Sequence, residues 1–253
     1  MILLIDIGNT RIKWARLENG KLEAQSAAPH AAWTAETMIA TVLQTGPRAD
    51  RVLVGNVGGA ALAEMTREAV AKTWHIEPEF VVATEKAGGV RNAYVDPGRL
   101  GVDRWLALIG THALERGSSC IVSVGTAMTI DGLAADGRHL GGLIVPGPDL
   151  MVSSLLENTS EIARRTEGGR ATGELFADNT LGAVRQGAQS ALVALIGRAV
   201  RTMARDLGEE PKLIVTGGAS HRIEPALDLP YQLVPDLVLR GLAVLAAESP
   251  RIG

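Results

Sequence analysis

Asp6-Ile7-Gly8-Asn9-Thr10 ends an apolar run with an acid and follows it with glycine, which sets a carboxylate beside a turn whose backbone N–H groups are bare. Such N–H groups, with the Asn and Thr side chains, can surround phosphate oxygens, and the carboxylate can hold the magnesium that neutralises them. The same residue types are also what hairpin turns ordinarily contain. Gly125-Thr126-Ala127-Met128-Thr129 is a second such turn with the same two readings. Leu3-Leu4-Ile5-Asp6-Ile7-Gly8-Asn9-Thr10 and Ile121-Val122-Ser123-Val124-Gly125-Thr126 look like one motif used twice. Two opposed turns of this kind would grip the phosphates of a nucleotide. Thr216-Gly217-Gly218-Ala219, a third glycine turn after an apolar run, either lets a flat base approach the backbone or simply starts a helix.

Gly101-Val102-Asp103-Arg104 carries the remaining acid–base chemistry. Asp103 can accept a proton from an alcohol while Arg104 beside it binds an anionic substrate group. An aspartate in a helix's first turn is equally at home as a structural cap. Upstream, Asn92-Ala93-Tyr94-Val95-Asp96-Pro97 contains one of only two tyrosines. Tyr94 is either a wall of a small substrate pocket or a loop plug.

Other chemistries are excluded or left without support. No Gly-x-x-x-x-Gly-Lys-Ser/Thr run exists, so a P-loop is out, and neither Gly-x-Gly-x-x-Gly after a strand nor Gly-x-Ser-x-Gly occurs. His30, His75, His112, His139 and His221 have no metal-ligand spacing and read as incidental. One cysteine, Cys120, permits no internal disulfide and fits a reducing cytosol. A net charge of −3 gives no reason to expect nucleic acid or an anionic membrane as partner. The best membrane-span candidate, 190–203, is broken by Arg198 and Arg201. Nothing resembles an export signal, so the expected location is the cytoplasm.

The elements that must position these residues follow from periodicity. Ile2 to Ile7 and Arg11 to Leu17 read as strands, Asn19-Gly20 as a hairpin, and a third short strand follows near Leu22. Helical spacing over 35–44 and 60–72 flanks a strand at 51–54, with another at 80–82 and a helix opened by Pro97-Gly98. The second half repeats the pattern, with strands at 120–124 and 128–131, the Asp136-Gly137 hairpin, the run 141–147, a long alanine-rich helix over 181–207, a strand at 212–215 and a helix over 235–247. The alanine-rich helix packs closely or serves a dimer interface. Glu157, Glu161, Arg164, Arg165 and Glu167 read as a solvated face, and 166–178, with three glycines, as a mobile lid or a surface loop. With 253 residues and 46% apolar content, a full core is expected in an α/β chain of two lobes, 1–116 and 117–253, facing a cleft.

The ordered motifs Asp6–Thr10, Gly101–Trp105, Gly125–Asp131 and Gly141–Gly147 resemble those of type III pantothenate kinase, the family that includes Bvg accessory factor-like proteins. The likeness runs from Ile5 to Gly241. It implies the actin-like ATPase fold shared by acetate and sugar kinases, Hsp70 and actin, with two ribonuclease-H-like lobes, and usually a homodimer. It implies ATP-dependent phosphorylation of pantothenate, the first committed step of coenzyme A synthesis. By motif, Asp6 holds Mg²⁺, Gly8, Asn9 and Thr10 contact the terminal phosphates, and Gly125, Thr126 and Ala127 form the second phosphate turn. Asp103 is the general base and Arg104 binds the pantothenate carboxylate. Tyr94, Gly101 and Thr180 match substrate-pocket positions, and Gly217 and Gly218 fall at the adenosine contact. Members often need a monovalent cation such as K⁺ or NH₄⁺. Many carry an aspartate where this chain has Ser123, an acid associated with that cation site, so Ser123 puts the dependence in doubt. A nucleotide-binding regulator without kinase activity and a kinase for another small alcohol are the alternatives that fold likeness leaves open.

Overall fold

A computed structural model of the chain describes residues 1–159, 162 and 175–248. Of the lid or loop expected over 166–178, residues 166–174 lie outside the described residues, as do Glu161, Arg164, Arg165 and Glu167. In chain order the first elements are β1 (Ile2–Ile7), β2 (Arg11–Glu18), β3 (Lys21–Leu22), β4 (Ser26–Pro29), α1 (Ala35–Met38) and β5 (Arg51–Asn56). There follow α2 (Ala60–Trp74), β6 (Glu79–Phe80), β7 (Lys86–Ala87), β8 (Val90–Arg91) and α3 (Val102–Leu114). The later ones are β9 (Ser119–Val124), β10 (Ala127–Leu133), β11 (His139–Pro146), α4 (Pro148–Glu157), α5 (Thr180–Leu207), β12 (Lys212–Thr216), β13 (Tyr231–Leu233) and α6 (Leu237–Glu248).

The first sheet runs β3-β2-β1-β5-β6, with β4 also pairing β2. β1 and β2 are antiparallel, which sets Asp6 opposite Lys13, while β5 lies parallel to β1. Because side chains alternate across a strand, Leu3, Ile5, Ile7, Ile12 and Trp14 point to one face and Leu4, Ala15 and Leu17 to the other. α1, the π-helical turn Ile39–Leu43 that continues it, and α2 cover the first face through Met38, Val42, Leu43, Val70 and Trp74. α3 and α6 cover the second through Leu106, Leu239, Leu242 and Ala246. These two helices meet at glycine. A Cβ on Gly110 would run into the Leu237 carbonyl, and one on Gly241 into that of Leu106.

The second sheet, β11-β10-β9-β12-β13, repeats the first in order and sense: β9 is antiparallel to β10 and parallel to β12, which is parallel to β13. α5 covers one of its faces with Leu192, Ile196, Val200 and Met203. This helix is well delimited. The Asn179 side chain accepts the Gly182 N–H at 2.8 Å, and Gly208, at φ +72°, ends it in the left-handed conformation.

The chain forms two compact units, and their bounds differ from a cut at residue 116 in two places. The first comprises Met1–Arg116, Ala135–His139 and the chain from Asp236; the second comprises Gly117–Ala134 and Leu140–Pro235. α6 belongs with the first because its apolar stripe is buried with Leu4 and Leu106. The hairpin tip 135–139 belongs there because Asp136 pairs with Arg91 at 2.9 Å and the Gly137 carbonyl accepts the Arg91 N–H at 2.9 Å. Among the described residues no helix is long and apolar enough to cross a membrane.

Candidate active site

In the first unit the turn after β1 is closed by the Gly8 N–H donating to the Arg11 carbonyl at 3.0 Å. The Gly8 carbonyl in turn accepts from His30 Nε2 at 2.9 Å. Gly8 therefore shapes the turn, and Asn9 and Thr10 stand exposed at its tip. The segment after β5 lies against it: Val57 N–H donates to the Ile7 carbonyl, and a Cβ on Gly58 would stand 3.0 Å from the Gly8 carbonyl oxygen. The Asn56 side chain holds this segment, accepting the Gly58 N–H and donating to the Gly59 carbonyl, both at 2.9 Å.

Asp6 is only 8% exposed. Burial pushes its carboxyl up to about 6, Lys13 across the strand pair pulls it down, and the Asp103 carboxylate raises it. The Asp103 carboxylate, 97 residues on in sequence, thus lies near enough to Asp6 to raise it. A buried, undercompensated carboxylate is a hard oxygen ligand of the kind Mg²⁺ prefers. Among the described residues no group of three His, Cys, Asp or Glu forms a ready cage, so an ion at Asp6 would take its other ligands from phosphate and water.

Asp103 sits in the first turn of α3, with Gly101 as N-cap. A Cβ on Gly101 would lie 2.8 Å from Asp103 Oδ1, so glycine leaves room for the carboxylate to fold back over the helix start. Arg104 is 5% exposed; its Nη1 donates to the Tyr94 hydroxyl at 2.8 Å, and its Cζ lies 5.7 Å from the Tyr94 ring centroid. The Tyr94 loop is pinned by Asn92, whose Oδ1 accepts the Tyr94 N–H at 3.0 Å and whose Nδ2 donates to the Thr84 and Pro97 carbonyls. The Tyr94 ring stacks on His139. The first unit therefore gathers Asp6, Asp103 and Gly101, and beside them Arg104 of α3 linked to Tyr94 of the preceding loop.

In the second unit the Gly125 N–H closes its turn on the Ala127 carbonyl at 2.9 Å, leaving Thr126 exposed at the tip. Gly147, last of the 141–147 run, donates to the Thr126 carbonyl at 2.8 Å, and a Cβ there would run into Gly125. Because β12 lies parallel to β9, Gly217 and Gly218 come to the same strand ends as Gly125. Gly217, at φ +100°, packs so closely that a Cβ would strike the Val124 backbone. Ser123 lies opposite Thr129 and beside Thr216, a row of hydroxyls, and the buried Asp131 is two residues further along β10. Burial, and then Asp131, push the Cys120 thiol up to about 12, which leaves it inert. Thr180 begins α5 and lines an apolar groove of about 490 Å³ with Met151, Leu155, Ala183 and Gly187.

Several engaged residues escaped sequence reasoning. Lys13 faces Asp6, Asp131 is a buried acid inside a quoted motif, and His30 and His139, expected to be incidental, both make specific contacts. Only Asn56-Val57-Gly58-Gly59, a glycine turn after a strand, carried a usable signal.

The repeated sheet order and the paired glycine turns define a class. The structure of the activator of 2-hydroxyisocaproyl-CoA dehydratase from Clostridium difficile, with bound ADPNP, superposes with a TM-score of 0.56 at 13% identity, covering 100% of this chain and 99% of that one. This is the actin-like ATPase and sugar-kinase fold. Within it, the model of the type III pantothenate kinase family matches residues 2–202. The type III pantothenate kinase of Nitrosococcus oceani is 41% identical over 257 residues, covering 100% of this chain and 96% of that protein. That of Azoarcus sp. is 42% identical over 249 residues, covering 98% and 91%. The chain belongs to the type III pantothenate kinase family and is a phosphotransferase.

Proposed function

We infer that the chain carries out the reaction of its family, transfer of the γ-phosphoryl group of ATP to the primary hydroxyl of pantothenate, giving 4′-phosphopantothenate for coenzyme A biosynthesis. The observation that carries the assignment of roles is the effect of the Asp103 carboxylate on Asp6, which ties the phosphate turn to the acid of the Gly-Val-Asp-Arg motif.

Phosphoryl transfer needs alignment and neutralisation of charge more than covalent help. Mg²⁺ held at Asp6 neutralises the terminal phosphates when bound. Asn9 and Thr10 at one turn, and Thr126 with Ala127 at the other, donate to phosphate oxygens, while Gly8 and Gly125 shape those turns. Lys13 adds a positive charge beside Asp6. Gly217 and Gly218 accept the adenosine against bare backbone. Arg104 pairs with the pantothenate carboxylate and Tyr94 and Gly101 wall the acceptor pocket, while Thr180 is assigned to acceptor binding by its family motif alone. Asp103 takes the proton of the attacking alcohol as the O–P bond forms.

The monovalent-cation site is weakened, since Ser123 offers a neutral hydroxyl in place of a carboxylate. A homodimer is supported by the apolar residues that the second unit exposes, Leu143, Ile144, Leu175 and Phe176. The lone reduced cysteine supports a cytoplasmic location. The purified chain, given ATP and Mg²⁺, should release ADP only when pantothenate is added. ADP release without an acceptor, or only with a different alcohol, would overturn the assignment.

A further inference from the structure

We propose that His139 is a positioning residue for the acceptor pocket, holding Tyr94, and through it Arg104, in the geometry that receives the substrate carboxylate. This rests on the pantothenate reading of that pocket. His139 is 2% exposed, although it stands at the start of an otherwise largely exposed strand. Its ring lies nearly parallel to that of Tyr94, 12° between planes and 6.2 Å between centroids. Its Nδ1 accepts the N–H of Ala93, the residue before Tyr94, at 3.4 Å. One side chain thus touches both the ring and the backbone of the Tyr94 loop.

His139 is itself delivered with little freedom. The tip before it turns at Gly137, with φ +80°, and a Cβ there would strike the Gly89 carbonyl. Asp136 Oδ1 accepts the Arg138 N–H at 3.1 Å, and Asp136 Oδ2 takes the Arg91 guanidinium at 2.9 Å. The tip is therefore locked onto the β7–β8 hairpin before it presents the imidazole. From there the contacts run in series. His139 stacks on Tyr94, and the Tyr94 hydroxyl accepts from Arg104 Nη1 at 2.8 Å. If the stacking partner is lost, Tyr94 keeps its backbone turn on Asn92 but gains freedom about its side-chain torsions, and the guanidinium loses a fixed oxygen to aim against. That loss falls on acceptor binding and leaves the nucleotide turns untouched.

The test compares His139→Ala, His139→Phe and His139→Asn with the parent in steady-state kinetics, and reads Tyr94 directly by ¹⁹F NMR after 3-fluorotyrosine labelling. The chain has only two tyrosines, Tyr94 and Tyr231, so Tyr94→Phe assigns the signals. In His139→Ala the KM for pantothenate should rise about tenfold, the KM for ATP should stay within about twofold, and the Tyr94 resonance should shift. His139→Phe keeps the stack and should recover most of the pantothenate KM; His139→Asn, which keeps only an acceptor, should recover less. An unchanged pantothenate KM, or equal losses for both substrates, would overturn the proposal. Should the parent fail to phosphorylate pantothenate, the reading of the pocket falls, yet the resonance still judges the contact: an unmoved Tyr94 signal in His139→Ala refutes it.

Discussion

Replacing Asp6 with asparagine should make the protein inactive and more stable at once. The folded state holds this carboxyl at about 6 against 3.8 for the free side chain, chiefly through burial. A raised folded value means that the folded protein binds the proton more tightly. The associated stability is complete below the unfolded value and disappears as pH rises through about 6. At pH 8 without a divalent ion, the parent therefore keeps a buried charge that asparagine lacks. At roughly 1.4 kcal/mol per pH unit, the shift corresponds to about 3 kcal/mol. At roughly 2–4 °C per kcal/mol for a chain of this size, Asp6→Asn should melt up to about 10 °C higher than the parent at pH 8. The gap should shrink towards pH 4.5, where the parent's carboxyl is protonated. Differential scanning calorimetry in EDTA, repeated with Mg²⁺ and ATP, reads both arms; ligand should stabilise the parent far more than the variant. A variant that melts below the parent at pH 8, or a difference independent of pH, would refute the reasoning.

Two glycine substitutions separate catalysis from folding. In Gly101→Ala the new methyl group meets Asp103 Oδ1, the movable end of a side chain, so the fold tolerates it while the acid is pushed aside. kcat should fall about tenfold with the melting temperature unchanged; a parental kcat would mean that the carboxylate does not depend on this gap. In Gly217→Ala the obstruction is the Val124 backbone, and φ is +100°. A loss of roughly 2–4 kcal/mol in denaturant unfolding should accompany weaker ATP binding.

What the sequence made legible was what short-range rules govern. Short apolar runs marked β1, β9 and β10, alternation marked β2, and the glycine turns that end strands marked the candidate phosphate sites. Elements sustained by tertiary contact were not legible. β7 and β8 have two residues each, too short for any periodicity, and the π turn over 39–43 continues a helical pattern with a different hydrogen bond. α4 was not read from the sequence, although Gly147-Pro148 places a proline at its first helical position. α6 showed its helix in the sequence but not its partner, because the match of Gly110 with Gly241 is a fact about two surfaces 131 residues apart. His30 and His139 were passed over for the same reason: a lone histidine has no spacing to read, and its role comes from the carbonyl or ring that folding brings to it.

The role given to Asp103 is tested most directly by Asp103→Asn, with ATP binding followed by calorimetry and pantothenate-dependent ADP release followed in the same preparation. Asparagine keeps the size and loses the base. kcat should fall by roughly 10²–10⁴ while the Kd for ATP stays within about twofold. Turnover at the parental rate, with nucleotide binding intact, would contradict the account.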